Sequence, residues 1–114
     1  MGAATTAWIN PYSATVDPAG KFVYVANYTT GNVSIYDINN TSGTLTSATA
    51  ASAGVSPTAI VIDPSGKFAY VTNAGSGKVS VYSVNGTTGG MTSIGADVDA
   101  GSYPWAIAIS AVIQ

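Results

Sequence analysis

Apolar residues in this chain come in short runs, and Gly, Asn, Ser, Asp and Pro fill the gaps between them. The runs "TAIVI" (58–62), "KFAYVT" (67–72) and "KVSVYSV" (78–84) are rich in β-branched and aromatic residues and are bounded by turn formers, which is the composition of strands. No stretch of any length has helical periodicity. In "KFVYVAN" (21–27), Phe22 and Tyr24 point to one side of a strand and Val23 and Val25 to the other. Both sides are apolar, and "AIVI" (59–62) and "AIAI" (106–109) share that property. A strand with one face in water alternates apolar and polar residues. These strands are therefore expected to be covered on both faces.

The pattern occurs twice. "PYSATVDPAGKFVYVANYTTGNVSIYDINNTSGTLTS" from Pro11 overlays "PTAIVIDPSGKFAYVTNAGSGKVSVYSVNGTTGGMTS" from Pro57, and about half the positions are identical. A third copy starts at Pro104 as "PWAIAIS", with Ser110 and Ala111 where the second copy has Asp63 and Pro64. Each unit reads as four strands. In the second unit these are "TAIVI", "KFAYVT", "KVSVYSV" and, more loosely, "MTSIGADV" (91–98). Asp63-Pro64-Ser65-Gly66 and its counterpart Asp17-Pro18-Ala19-Gly20 have the residues of a tight turn: Asp to accept local N–H groups, Pro to preset φ, and Gly at the end.

Four-stranded antiparallel units, apolar on both faces and repeating about every 46 residues, predict an all-β chain of β-propeller blades. The expected layout is the tail of a preceding blade (1–10), a first blade (11–56), a second blade (57–103) and the first strand of a further blade (104–114). An immunoglobulin-like sandwich has similar length and strand spacing. It does not explain the repeat.

"YVAN" (24–27) and "YVTN" (70–73), each inside P-x-x-[apolar]-D-P-x-G-K-x-x-Y-V-x-N, resemble the signature of the YVTN β-propeller repeats. The resemblance runs from Pro11 to Ile109. It implies a propeller whose full-length members mostly have seven blades. It also implies relatives among lactonase-like enzymes of the 6-phosphogluconolactonase type, redox-enzyme-like propellers and surface-layer repeats. No catalytic residue of that family carries over to a position here.

Composition narrows the chemistry. Charged residues are only 7% of the chain, three Lys and five Asp, with no His, Glu, Arg or Cys. Without clustered Lys or Arg, nucleic-acid binding is not expected. Without Cys there is no disulfide and no thiolate metal site. No apolar run has the length of a membrane-inserted helix. Richness in Ala, Thr, Ser, Gly and Asn suggests an extracellular or cell-surface setting.

Asp17 and Asp63 recur at one turn position, and residues dictated by turn geometry recur in this way whereas catalytic residues are unique. Asp97 and Asp99 are too few for the six to eight oxygens of Ca²⁺, so no metal or other cofactor is expected. The Asn-x-Ser/Thr sequons at Asn27, Asn32, Asn39, Asn40 and Asn85 follow from composition.

Aromatic residues that break the repeat are Trp8, Tyr12, Tyr28, Tyr103 and Trp105. They belong to or border the loops at one end of the blades, near Asn10, Asn27 and Asn73. Trp8, Tyr12, Asn27, Tyr28, Asn73, Tyr103 and Trp105 are therefore the candidate ligand-binding residues, suited to stacking a sugar ring and bonding its hydroxyls. The competing reading of the two Trp residues is packing against neighbouring blades or a subunit contact.

Lactone hydrolysis needs a group to activate water and another to hold the oxyanion. With no His, Glu or Arg available, the expectation is a non-enzymatic scaffold that assembles with itself, with a trimer of six blades fitting best. The alternative is a fragment of a lactonase-like hydrolase.

Overall fold

The structure, a computed structural model, describes residues 11–95 and 97–99. They form two antiparallel sheets, with no helix among the described residues. The first sheet holds β1 (Pro11–Val16), β2 (Phe22–Asn27), β3 (Asn32–Ile38) and β4 (Leu45–Ser52), neighbours in that order. The second holds β5 (Pro57–Ile62), β6 (Phe68–Asn73), β7 (Lys78–Val84) and β8 (Met91–Ser93), with β9 (Val98–Asp99) also paired to β7. The molecule is thus all-β, a partial propeller of two meandering blades, as the repeat predicts. Segments 1–10 and 104–114, expected to be the tail and the first strand of neighbouring blades, lie outside the described residues.

The Asp-Pro turns are built by their Asp side chains. Asp17 Oδ1 accepts the N–H groups of Lys21 (2.6 Å) and Phe22 (2.9 Å). Asp63 Oδ1 accepts those of Lys67 (3.0 Å) and Phe68 (2.9 Å). Asp63 has one partner more, because Ser65 Oγ donates to its Oδ2 at 2.6 Å where the first blade has Ala19. Each turn thus satisfies the N–H groups at the start of the next strand. Asn39 and Asn85 do the same for the loops between the third and fourth strands. Asn85 Oδ1 accepts from Thr87 and Thr88 at 2.8 and 3.0 Å, and Asn39 Oδ1 from Thr41 and Ser42.

The fourth strands differ. β4 runs unbroken beside β3 with one irregularity between Ile35 and Tyr36. In the second blade the corresponding stretch splits into β8 and β9. Between Ser93, opposite Tyr82, and Val98, opposite Val79, the second blade has one residue more than the first has over the same span. The chain turns out of the sheet there, with Gly95 at φ +72°. The single strand expected over 91–98 is therefore two short ones.

Each blade has a forward and a rear face. Registered pairs share a face, so the forward face of the first blade carries Phe22, Tyr24, Ala26, Val33 and Ile35. The rear face of the second carries Ala69, Val71 and Tyr82. These two faces pack on each other, with Ile60 of β5, to form the core. Tyr24, Val33, Ile35 and Val71 are fully buried, and burial of each such side chain stabilises the fold by about 1.5–3 kcal/mol. On the forward face of the second blade Thr72 is buried as Ala26 is, but the other matching positions are more open. Phe22 is 5% exposed and its counterpart Phe68 is 38% exposed.

Polar bonds cross the same interface. Tyr24 Oη donates to Gly89 O at 2.8 Å, and Tyr82 Oη to Ser52 O at 2.7 Å. Burial, with a smaller contribution from the Asp17 carboxylate, pushes the Tyr24 phenol up to about 12, so it remains a donor at any physiological pH.

Candidate functional site

The register places Tyr12, Asn27, Tyr28 and Asn73 at one end of the blades. Pro11, Asn27 and Asn32 line up across the first sheet with Ser52. Pro57, Asn73 and Lys78 line up across the second with Asp99. The Asp-Pro turns and the Asn39 and Asn85 loops occupy the opposite end.

Tyr12 and Tyr28 are brought together there. Their rings stack with centroids 4.6 Å apart and planes at 18°. Tyr12 enters at the start of β1 and Tyr28 just past the end of β2, so the pairing of Pro11 with Asn27 sets one ring beside the other. Tyr12 is 48% exposed, leaving one side of this aromatic shelf open to solvent.

Asn27 and Asn73 are fully buried, with their amides turned into the blades. Asn73 Nδ2 donates to Ser80 Oγ at 2.8 Å, and its Oδ1 accepts the N–H of Gly54 at 3.0 Å from the connection between blades. Asn27 Nδ2 donates to Ser34 Oγ (2.8 Å) and Asn32 Oδ1 (3.0 Å). Asn27 Oδ1 is buried and has no hydrogen-bond partner among the described residues. A carbonyl so placed costs stability until a donor reaches it. Gly54 is required for the close approach in the second blade, since a Cβ on it would lie 2.8 Å from Asn73 Cγ. Trp8, Tyr103 and Trp105, as well as Asn10, lie outside the described residues.

The charged residues of this end form a cluster that the aromatic pattern does not point to. Lys78 donates from Nζ to Asp99 Oδ1 in an exposed ion pair. The hydrogen bond from Lys78, and then its charge, hold the Asp99 carboxyl below the usual carboxylate range. The reciprocal bond, the Asp99 charge and, more weakly, Asp97 raise the Lys78 ammonium. Both groups are charged at neutral pH. The signal for the pair in the sequence is faint: Lys78 replaces Asn32 of the first unit, and Asp99 enters through the irregular fourth strand. No group of three or more metal-ligating side chains is present among the described residues.

A family model described as "Lactonase, 7-bladed beta-propeller" matches residues 6–108. A putative 6-phosphogluconolactonase from Bacteroides fragilis is similar over 82% of this chain and 26% of its own length, with 26% identity and a TM-score of 0.78. One from Bacteroides uniformis is similar over 77% of this chain and 26% of its own, with 27% identity and a TM-score of 0.72. The periplasmic gluconolactonase of Pseudomonas aeruginosa shares the fold, with 22% identity over 78% of this chain and 26% of its own and a TM-score of 0.71. The chain spans about a quarter of the length of these structures. No curated protein sequence matches it.

These findings overturn two expectations: that the chain is a non-enzymatic scaffold, and that it is not an enzyme. Both rested on the lack of His, Glu and Arg. That inference fails for a physical reason. Two blades are a fraction of a seven-bladed ring, so the composition of two says little about the ring as a whole. The match across 6–108 and the two-blade architecture agree: the chain belongs to the seven-bladed β-propeller lactonase family.

Proposed function

We propose that this chain is a two-blade portion of a propeller hydrolase that opens sugar lactones, built from repeats of the YVTN type, with blade units at 11–56 and 57–103 flanked by the tail (1–10) and the first strand (104–114) of neighbouring blades. The family match over 6–108 carries the reading. The names of similar structures, 6-phosphogluconolactonase and gluconolactonase, supply the substrate class.

The chemistry asks for three things at the loop end. A sugar ring needs an aromatic shelf, and Tyr12 and Tyr28 form one, with Trp8, Tyr103 and Trp105 as further candidates. The attacking water needs an ionised acceptor, and Asp99 and Asp97 are the carboxylates of this end. The oxyanion that forms when water adds to the lactone carbonyl needs a donor or a positive charge, and Lys78 is a fixed ammonium beside them. Collapse of that intermediate breaks the ring C–O bond and gives the hydroxy acid. The other two lysines, Lys21 and Lys67, sit by the Asp-Pro turns at the opposite end.

The test is proton release at fixed pH with glucono-δ-lactone, read against the spontaneous rate. Turnover above that rate, lost in Asp99→Asn with an unchanged circular dichroism spectrum, is the expected result. A rate equal to the blank with both glucono-δ-lactone and 6-phosphogluconolactone overturns the proposal.

A further inference from the structure

We propose that Asn85 is a site of spontaneous deamidation, attacked by the main-chain nitrogen of Gly86, and that the isoaspartyl product loosens the contact between the two blades. Asn85 is the one asparagine in the sequence that is followed by glycine. Both residues are exposed in the loop between β7 and β8. The fold does not call for glycine at 86. Its φ lies outside the left-handed region, and a Cβ there would meet nothing within 4 Å. What the missing side chain supplies is access, because a glycine nitrogen, with no Cβ beside it, can approach a neighbouring carbon closely.

The Asn85 amide is prepared on its oxygen side. Oδ1 accepts the N–H groups of Thr87 at 2.8 Å and Thr88 at 3.0 Å. Two donors on a carbonyl oxygen steady the negative charge that builds there when a nucleophile adds. Asn85 Nδ2 and Gly86 N carry no hydrogen bond among the described residues, so leaving group and nucleophile are both free. Gly86 N bonds to Asn85 Cγ, the Cγ–Nδ2 bond breaks, and the proton lost by Gly86 leaves with the amide as ammonia. The five-membered succinimide then takes up one water. Opening at Cγ gives aspartate. Opening at the main-chain carbonyl gives isoaspartate, in which the chain runs through Cβ and Cγ. Nothing is oxidised or reduced.

The two products act differently on the fold. Aspartate keeps the cap, since a carboxylate oxygen accepts such N–H groups in the turns of Asp17 and Asp63. Isoaspartate adds one carbon to the main chain and takes out of it the carbonyl to which Gly89 N donates at 2.7 Å. Gly89 stands against the Phe22 ring, and its own carbonyl accepts Tyr24 Oη at 2.8 Å. A shift in this loop therefore reaches the blade contact directly. The first blade carries a control. Asn39 Oδ1 accepts from Thr41 and Ser42, and Gly43 N donates to Asn39 O, but the residue after Asn39 is Asn40.

The proposal stands apart from the lactone reading, because its readout needs no substrate. Peptide mapping by mass spectrometry during storage at mildly alkaline pH is expected to show Asn85 gaining one mass unit well before Asn39. Labelling by an isoaspartyl methyltransferase is expected at the same peptide. Gly86→Ala, which has room for its methyl group, is expected to slow Asn85 to the rate of Asn39 without changing the melting temperature. The isoaspartyl fraction, separated by chromatography, is expected to melt below the parent, and Asn85→Asp to melt with it. An Asn85 that ages no faster than Asn39, or just as fast in Gly86→Ala, overturns the assignment. An isoaspartyl fraction that melts with the parent overturns the effect on the blades.

Discussion

The two blades share about half their residues and nearly all their hydrogen-bonded turns, yet matching residues live in different surroundings. Tyr24 and Ile35 are sealed from water, while Tyr70 and Val81, one repeat later, are half-open. Nothing in the local sequence separates them. Tyr24 is covered because Gly89 and Tyr82 stand in front of it, and those residues belong to the following blade. In a stacked-repeat protein a residue is made core or surface by its neighbour, and a substitution should be judged by the position of its blade as much as by its type.

The contrast can be broken most sharply in the core. Ile35→Ala should lower stability by about 2–5 kcal/mol. Val81→Ala, at the equivalent half-open place, should cost about 1 kcal/mol. Urea midpoints of the two variants check both. Equal losses would mean that the forward face of the second blade is already covered.

A smaller difference separates Gly89 from Gly43, its counterpart in the first blade, with φ of +78° and +77°. Gly89→Ala and Gly43→Ala each force an L side chain into the left-handed region, at about 1–2 kcal/mol. Only the Gly89 change also drives a methyl group into the Phe22 ring, which adds about 1–3 kcal/mol of overpacking. The gap between the two melting curves measures how firmly the blades are pressed together.

The smallest effect contrasts the turns. Asp63→Ala should cost about 0.5–2 kcal/mol, in the range of other lost side-chain caps. Desolvation pulls the Asp63 carboxyl upward, but the Ser65 hydroxyl and the N–H groups of Phe68, Lys67 and Ser65 outweigh it and hold the group below its ordinary value. A carboxylate with a depressed folded value contributes fully above the unfolded value of about 3.9, and the contribution disappears as pH falls through the folded one. Melting temperature should therefore decline below about pH 4, and Asp63→Asn should flatten that decline. Ser65→Ala, which only makes the second turn like the first, should shift it slightly. An acid limb unchanged in Asp63→Asn would remove the turn from the account.

Much of this architecture is legible in the sequence because it is written in local chemistry. Asp-Pro-x-Gly specifies its own turn, and a strand that is apolar on both sides states that something covers it. Asn27 and Asn73 are legible as ends of strands but not as buried amides, since their partners Ser34, Ser80 and Gly54 are set by sheet register and by the approach of the neighbouring blade. The break in the last strand was hidden because Met91 to Val98 has the composition of a single strand, and one extra residue is enough to split it. The Lys78–Asp99 pair depends on that split, so the charge at the loop end was the least visible feature. The stacking of Tyr12 on Tyr28 was within reach, because the Pro11–Asn27 pairing follows from the hairpin.

The bonds between blades also bear on how such a chain can arise. Tyr24 ends on the carbonyl of Gly89, Tyr82 on that of Ser52, and Asn73 on the N–H of Gly54. In each case one partner is main chain, a carbonyl that every residue type supplies or an N–H that every residue but proline supplies. When a gene segment encoding such a unit is copied next to itself, the new neighbour already presents the acceptors and donors that the old one needs. Later drift in the acceptor's side chain leaves the hydrogen-bonding atom in place. Only the tyrosine, the asparagine and the small residue at the closest approach have to be inherited intact, so tandem duplication can lengthen this fold without each new joint evolving anew.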